Sequence, residues 1–258
     1  MLRCLARGTL HILTKSVVDF IMRKAGKENI IVVCTIVLCF MVTIGLCTVF
    51  SGEGILGVFS ASKGDDNTVY AVAVGGYTDM TLARSTADLI KGRGGAGYVI
   101  NGESIEIVYA VYPDKESAQK VLNGLGDNTA YIKEIGINMP DLKWASGYMK
   151  TTALTALSYY DIAFDALYTT ANSLADGSIG ADDARTKIRV LSAQIEDMKS
   201  VFYQNTVELD NEDVTDIKLA LITALALLDN IKTTGTTAQF VSSMRYALVQ
   251  LVLCRQAL

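Results

Sequence analysis

The stretch Val69-Tyr70-Ala71-Val72-Ala73-Val74-Gly75-Gly76-Tyr77-Thr78-Asp79 sets the reading of the residues around it. Its first six residues are valine, tyrosine and alanine in alternation, a strand pattern. Gly75-Gly76 ends the run. Thr78 and Asp79 are candidate N-caps for a helix over Met80–Lys91, in which Ala83, Ala87 and Ile90 share one face. Gly92, Gly94, Gly95 and Gly97 break that helix and read as a flexible turn. Tyr98-Val99-Ile100 is a short strand, Asn101-Gly102 a hairpin turn, and Ile105–Tyr112 a longer strand. Pro113-Asp114 opens a second helix that carries Ala118, Val121, Leu122 and Leu125 inward. Gly126 stops it, and Thr129–Ile135 reads as the last strand. The order β-α-β-β-α-β with tight connections is the split βαβ arrangement, one antiparallel sheet with two helices on one face.

Downstream, past a connector with Pro140, the period changes from two to three and four. Four apolar series follow, over Trp144–Leu174, Asp182–Tyr203, Asp213–Ile231 and Thr237–Ala257. Asp176-Gly177, Asp210-Asn211 and Thr234-Gly235 separate them. Such spacing with short links predicts an up-and-down bundle. The run Leu219–Leu228 is too short to span a bilayer and reads as a central buried helix. The change of period at Pro140 predicts two separate cores, with the strand-rich part folding alone.

Upstream, the chain explains its own composition. Half of the 258 residues are hydrophobic and the mean hydropathy is +0.31, too apolar for an ordinary soluble domain. Asn29–Gly52 holds no charge, and Ile30–Phe50 supplies 21 nearly uninterrupted apolar residues, where about 20 suffice to cross a bilayer. The run is longer than a signal-peptide core and lacks a small-x-small end, so it reads as an uncleaved anchor. Residues 1–28 carry six Lys/Arg against Asp19 and Glu28, net +4, whereas residues 53–258 carry net −8. The basic flank places the N-terminus on the inner side of the bacterial cytoplasmic membrane and the part after the span outside, a single-pass layout. Residues 1–21 read either as a short amphipathic helix on the membrane or as sequence upstream of a start at Met22. Of five cysteines only Cys254 follows the span, so no disulfide within the outer part can form.

The expected fold class is therefore α+β. A basic cytoplasmic segment (1–29) leads into an N-terminal transmembrane helix (30–50) and a linker (51–68). A small β-α-β-β-α-β domain (69–137) comes next, then a C-terminal all-α four-helix bundle (141–258).

Residues 69–137 resemble the SPOR (sporulation-related repeat) family. The likeness lies in Tyr70-Ala-Val72-Ala-Val74-Gly75-Gly76-Tyr77-Thr-Asp79, then in the helix of Ala83, Ala87 and Ile90. It resumes in Ile105-Glu-Ile107-Val-Tyr109-Ala110-Val111-Tyr112 and Pro113-Asp-Lys-Glu-Ser-Ala118. Ala73 stands where the family often has Gln, and Ala110 where it often has Gly. The resemblance implies a β-α-β-β-α-β domain that binds peptidoglycan, preferring glycan strands stripped of peptide stems. The whole layout is similar to a membrane-anchored protein of endospore-forming bacteria acting at the septum during engulfment.

Alternation puts Tyr70, Val72 and Val74 on one side of the first strand and Ala71, Ala73 and Gly75 on the other. In the third strand Ile105, Ile107 and Tyr109 alternate with Glu106, Val108 and Ala110. This predicts an open, shallow sheet face of small residues. Tyr77, Tyr98 and Tyr112 near the strand ends are the candidate sugar stackers, and Ala73, Gly75 and Gly76 the small residues beside them. His11, the single histidine, lies before the span, so no histidine-based triad or zinc set is expected outside. The Gly92–Gly97 loop lacks the Lys-Ser/Thr of a phosphate loop. No catalytic residue, metal or cofactor is expected, and the acidic outer part argues against nucleic acid. Two functions follow. One is a membrane-anchored protein that binds glycan strands in sporulation or cell division. The other is an interaction scaffold without glycan binding that recruits a protein partner at the septum through its bundle.

Overall fold

The computed structural model describes residues 68–137, 140, 142–145 and 147–258, all within one compact unit. Along these the elements are β1 (Thr68–Tyr77), α1 (Met80–Gly92), β2 (Tyr98–Asn101), β3 (Ile105–Tyr112), α2 (Lys115–Leu125) and β4 (Ala130–Gly136). The helices α3 (Tyr148–Ala175), α4 (Ala181–Asn205), α5 (Glu212–Asp229) and α6 (Thr237–Gln256) follow.

Helix starts sit where short polar side chains meet orphan backbone N–H groups. Asp79 accepts from the Thr81 N–H and Asp114 from the Ser117 N–H, both at 2.7 Å. Asn211 caps α5 through the Val214 N–H, and Thr236 with Gln239 forms a reciprocal capping box on α6. Trp144 belongs to a separate 3-10 turn, Leu142–Trp144, so α3 starts four residues later than the apolar spacing predicts.

The sheet is antiparallel in the order β2-β3-β1-β4. The β1–β3 register shifts at two places, between Val72 and Ala73 and between Val74 and Tyr77. Val72 pairs with Ala110 but Ala73 pairs with Val108, leaving Tyr109 as an extra residue in β3. The Tyr109 carbonyl instead accepts from the Ala96 N–H at 2.6 Å. This bulge reverses the sides beyond it. Ala110 and Tyr112 turn toward α2, joining Val72 and Ala118, while Val111 turns to the opposite face with Val69 and Ala71. The expected placement of Ala110 with Glu106 and Val108 is thereby corrected.

That opposite face is not open. Val69, Ala71, Val108, Val111 and Ile135 belong to the same core cluster as Leu157, Phe164, Leu248 and Leu251 of α3 and α6. α6 packs on β3, β4 and α1. Arg245 of α6 donates to the Gly94 carbonyl at 3.0 Å and to Asn172 Oδ1 at 3.3 Å, tying the glycine loop to α3. The residues Gly94–Gly97, expected to be a flexible turn, are buried.

The expected fold class is corrected accordingly. In place of a small α+β domain followed by an independent all-α bundle, the described residues form one mixed α/β unit. It holds a four-stranded sheet and six helices around a shared core. No helix among the described residues is long and apolar enough to cross a membrane. The expected transmembrane helix over 30–50, like the basic segment before it and the linker up to residue 67, lies outside the described residues. The physical reason for the merger is the sheet's second apolar face. A sheet with Val and Ile on both sides needs cover on both, and α1 and α2 can supply only one. α5 is also not the central helix expected from Leu219–Leu228: Leu219 is 58% and Ile222 43% exposed.

Candidate functional site

One part of the bundle-facing sheet surface stays partly uncovered, and the residues there are polar and aromatic. Register places Tyr131 of β4 beside Ala73 and Lys133 beside Ala71, so both side chains share the face of Ala71 and Ala73. Lys133 Nζ of β4 donates to Glu106 Oε2 of β3 at 2.7 Å, across the intervening β1. Hydrogen bonds from Lys133 and then from Tyr131 hold the Glu106 carboxyl below the usual carboxylate range. Desolvation, followed by the bond to Glu106, pushes the Tyr131 phenol up to about 12. The ring lies close over the β1 backbone, for a Cβ at Gly75 would stand 2.9 Å from Tyr131 Cε1. Glycine at 75 is what lets the ring come down on the strand. The result is a partly exposed ring beside an ion pair, an arrangement able to stack on a flat apolar group and exchange hydrogen bonds at its edge.

The residues expected from sequence do not converge there. Ala73 is fully buried, Gly75 lies under Tyr131, and Gly76 is exposed with φ of 87°. Tyr77 packs on the α1 side of the sheet with Met80 and Ile107. Tyr98 lies on the other side, its ring 5.1 Å from Tyr246 of α6. Tyr112 is 4% exposed and meets Tyr168 of α3 edge-on at 6.2 Å, and burial pushes its phenol above the ordinary range. Glu106, Tyr131 and Lys133 were missed as a group. Their signal was the period of two through Tyr131, Lys133 and Ile135, which aligns with β1 only once the register is known.

A second polar cluster lies where α3 and α6 meet the sheet. Asp161 and Asp165 stand one turn apart on α3, and the Arg255 guanidinium, 3% exposed, approaches Asp161 Oδ1 at 3.5 Å. Beside them is a cavity of about 20 Å³ lined by Val69, Ile137, Tyr160, Asp161, Phe164 and Arg255, among others. It is large enough for one water. Asp165 keeps one carboxylate oxygen buried without a hydrogen-bond partner. Desolvation, and then the charge of Asp161, push its carboxyl up to about 7. The unfolded chain releases this proton near pH 4, the folded chain only near 7, so this group's contribution to stability falls as pH rises between the two. Thermal unfolding should show Asp165→Asn more stable than the parent at pH 8, by about 1–2 kcal/mol once solvent screening of a half-exposed group is allowed for. At pH 5 the two should lie closer together. A variant no more stable than the parent at pH 8 would contradict this account.

Among the described residues no group of three or more His, Cys, Asp or Glu is placed to hold a metal ion. Comparison of the chain with protein-family models, with curated proteins and with solved structures finds no match. The SPOR resemblance therefore rests on the quoted residues alone.

Proposed function

We propose that this chain is a non-enzymatic interaction scaffold of the bacterial cell envelope, serving cell division or sporulation. Its own helices cover most of its sheet, and a protein partner docks on the helical part. The envelope setting rests on sequence. Basic residues before the apolar run 30–50 and acidic ones after it favour a position outside the cytoplasmic membrane for the described part. The observation that carries the scaffold reading is the cover over the sheet. Val69, Ala71, Val108 and Val111 are buried against α3 and α6, and two of the three candidate stackers, Tyr98 and Tyr112, are packed against aromatic rings of those helices.

Glycan binding is the second reading, favoured by one feature, the Tyr131 ring beside Glu106 and Lys133. The test is retention of the full chain on purified, amidase-treated peptidoglycan. The scaffold reading expects retention equal to that of an inert control. Retention well above control that is lost in Tyr131→Ala would establish the glycan reading instead.

A further inference from the structure

The helix α5 carries an apolar stripe that its own bundle leaves uncovered. Thr215, Leu219, Ile222 and Ala226 are all exposed and follow one another at steps of four, three and four residues, which aligns them on one face. Extending the same spacing by three residues each way reaches Glu212 and Asp229, both exposed. The stripe is thus an apolar seam with a carboxylate at each end, roughly 25 Å apart at 1.5 Å per residue. Asp229 is the informative end. A carboxylate in a helix's last turn opposes the helix dipole, and no basic residue stands in that turn to offset it. Its recorded partner is the Ser192 hydroxyl of α4 at 3.1 Å, not a cation. The one basic residue of α5, Lys218, lies eleven residues back and donates to the Thr206 carbonyl at 3.2 Å, and among the described residues no ion pair joins Asp229 to the exposed Lys232 three residues on.

Resting on the scaffold reading above, we propose that this seam docks an amphipathic helix of a partner protein that carries apolar residues at three- and four-residue spacing and Lys or Arg at both ends. Charge complementarity selects this occupant. A second copy of the chain is disfavoured, because the antiparallel register that sets Leu219 against Ile222 also sets Glu212 against Asp229. Apolar anchors supply the adhesion, and the end charges set the position of the helix along the seam.

The experiment titrates the full chain in lipid nanodiscs with two synthetic 18-residue helical peptides sharing one leucine seam, one ended in Lys and the other in Glu. The Lys-ended peptide should bind the more tightly, with an advantage that shrinks at high salt. Leu219→Ser with Ile222→Ser should weaken it at least tenfold while leaving the unfolding temperature unchanged, since both side chains are exposed. Asp229→Asn should weaken it roughly threefold, as for an exposed ion pair. Equal binding of the two peptides, or indifference to the double substitution, overturns the proposal. Self-association abolished by the double substitution would overturn it in favour of a second copy. Peptidoglycan retention reports separately on the scaffold reading, so the two can fail independently.

Discussion

Residues 68–140, expressed without the helices that follow, are expected to lose the dispersed amide spectrum of a folded domain. The change of hydrophobic period at Pro140 predicts the opposite, and the packing explains the reversal. Val69, Ala71, Val108, Val111 and Ile135 are each at most 4% exposed, and the cover on their side of the sheet comes from α3 and α6. Removing that cover returns several branched side chains to water. At about 1.5–3 kcal/mol for each fully buried Val or Ile, even partial exposure forfeits more than the roughly 3–5 kcal/mol a domain this small retains. What would remain is two small clusters, Val72 with Ala110, Tyr112 and Ala118, and Ala83 and Ala87 with Ile105 and Ile107. The measurement is a proton–nitrogen correlation spectrum of the truncated segment. Native-like dispersion would show that the sheet owns a sufficient core and that the helices dock on it as a separate body.

Gly97→Ala should be the most damaging conservative substitution in the sheet region. Gly97 sits at φ of 55°, in the left-handed region, and a Cβ there would collide with the Ala87 carbonyl oxygen and stand 2.7 Å from Lys91 Cγ. The first obstacle is backbone of α1, which cannot move without shifting the helix. Left-handed strain and overpacking together should cost about 3–4 kcal/mol, near a 10 °C fall in unfolding temperature for a unit this size. Gly92→Ala is the control, because its Cβ meets nothing within 4 Å and it ends a helix that favours alanine. Calorimetry that found the two variants equally stable would refute the tight-loop account of Gly94–Gly97.

Local signals were legible from residues alone. Asp79 and Asp114 fall at helix starts because a short oxygen-bearing side chain satisfies N–H groups that the first turn leaves free. The buried stripe Ile188, Leu191, Ile195, Met198 and Phe202 of α4 follows from spacing in the same way. The candidate site was much less legible. Tyr131, Lys133 and Glu106 come from two strands that are not sheet neighbours, and only β1 between them sets their approach.

What the sequence by itself determined here are properties decided within a few residues: where α1 and α2 begin and which stripe of α4 turns inward. The tertiary structure alone decided three others. It set the bulge at Tyr109, which sends Ala110 and Val111 to the opposite faces from those their alternation implies. It set the cover over the sheet, because Val69 and Ala71 read as half-buried strand residues whether helices or water lie above them. It left Leu219 and Ile222 outward on α5, although the run Leu219–Leu228 reads as buried throughout, because Val214, Ile217, Leu221 and Leu228 on another face meet the core instead. In each case the deciding partner lies far away in the chain, and burial is a relation between such segments that no local pattern records.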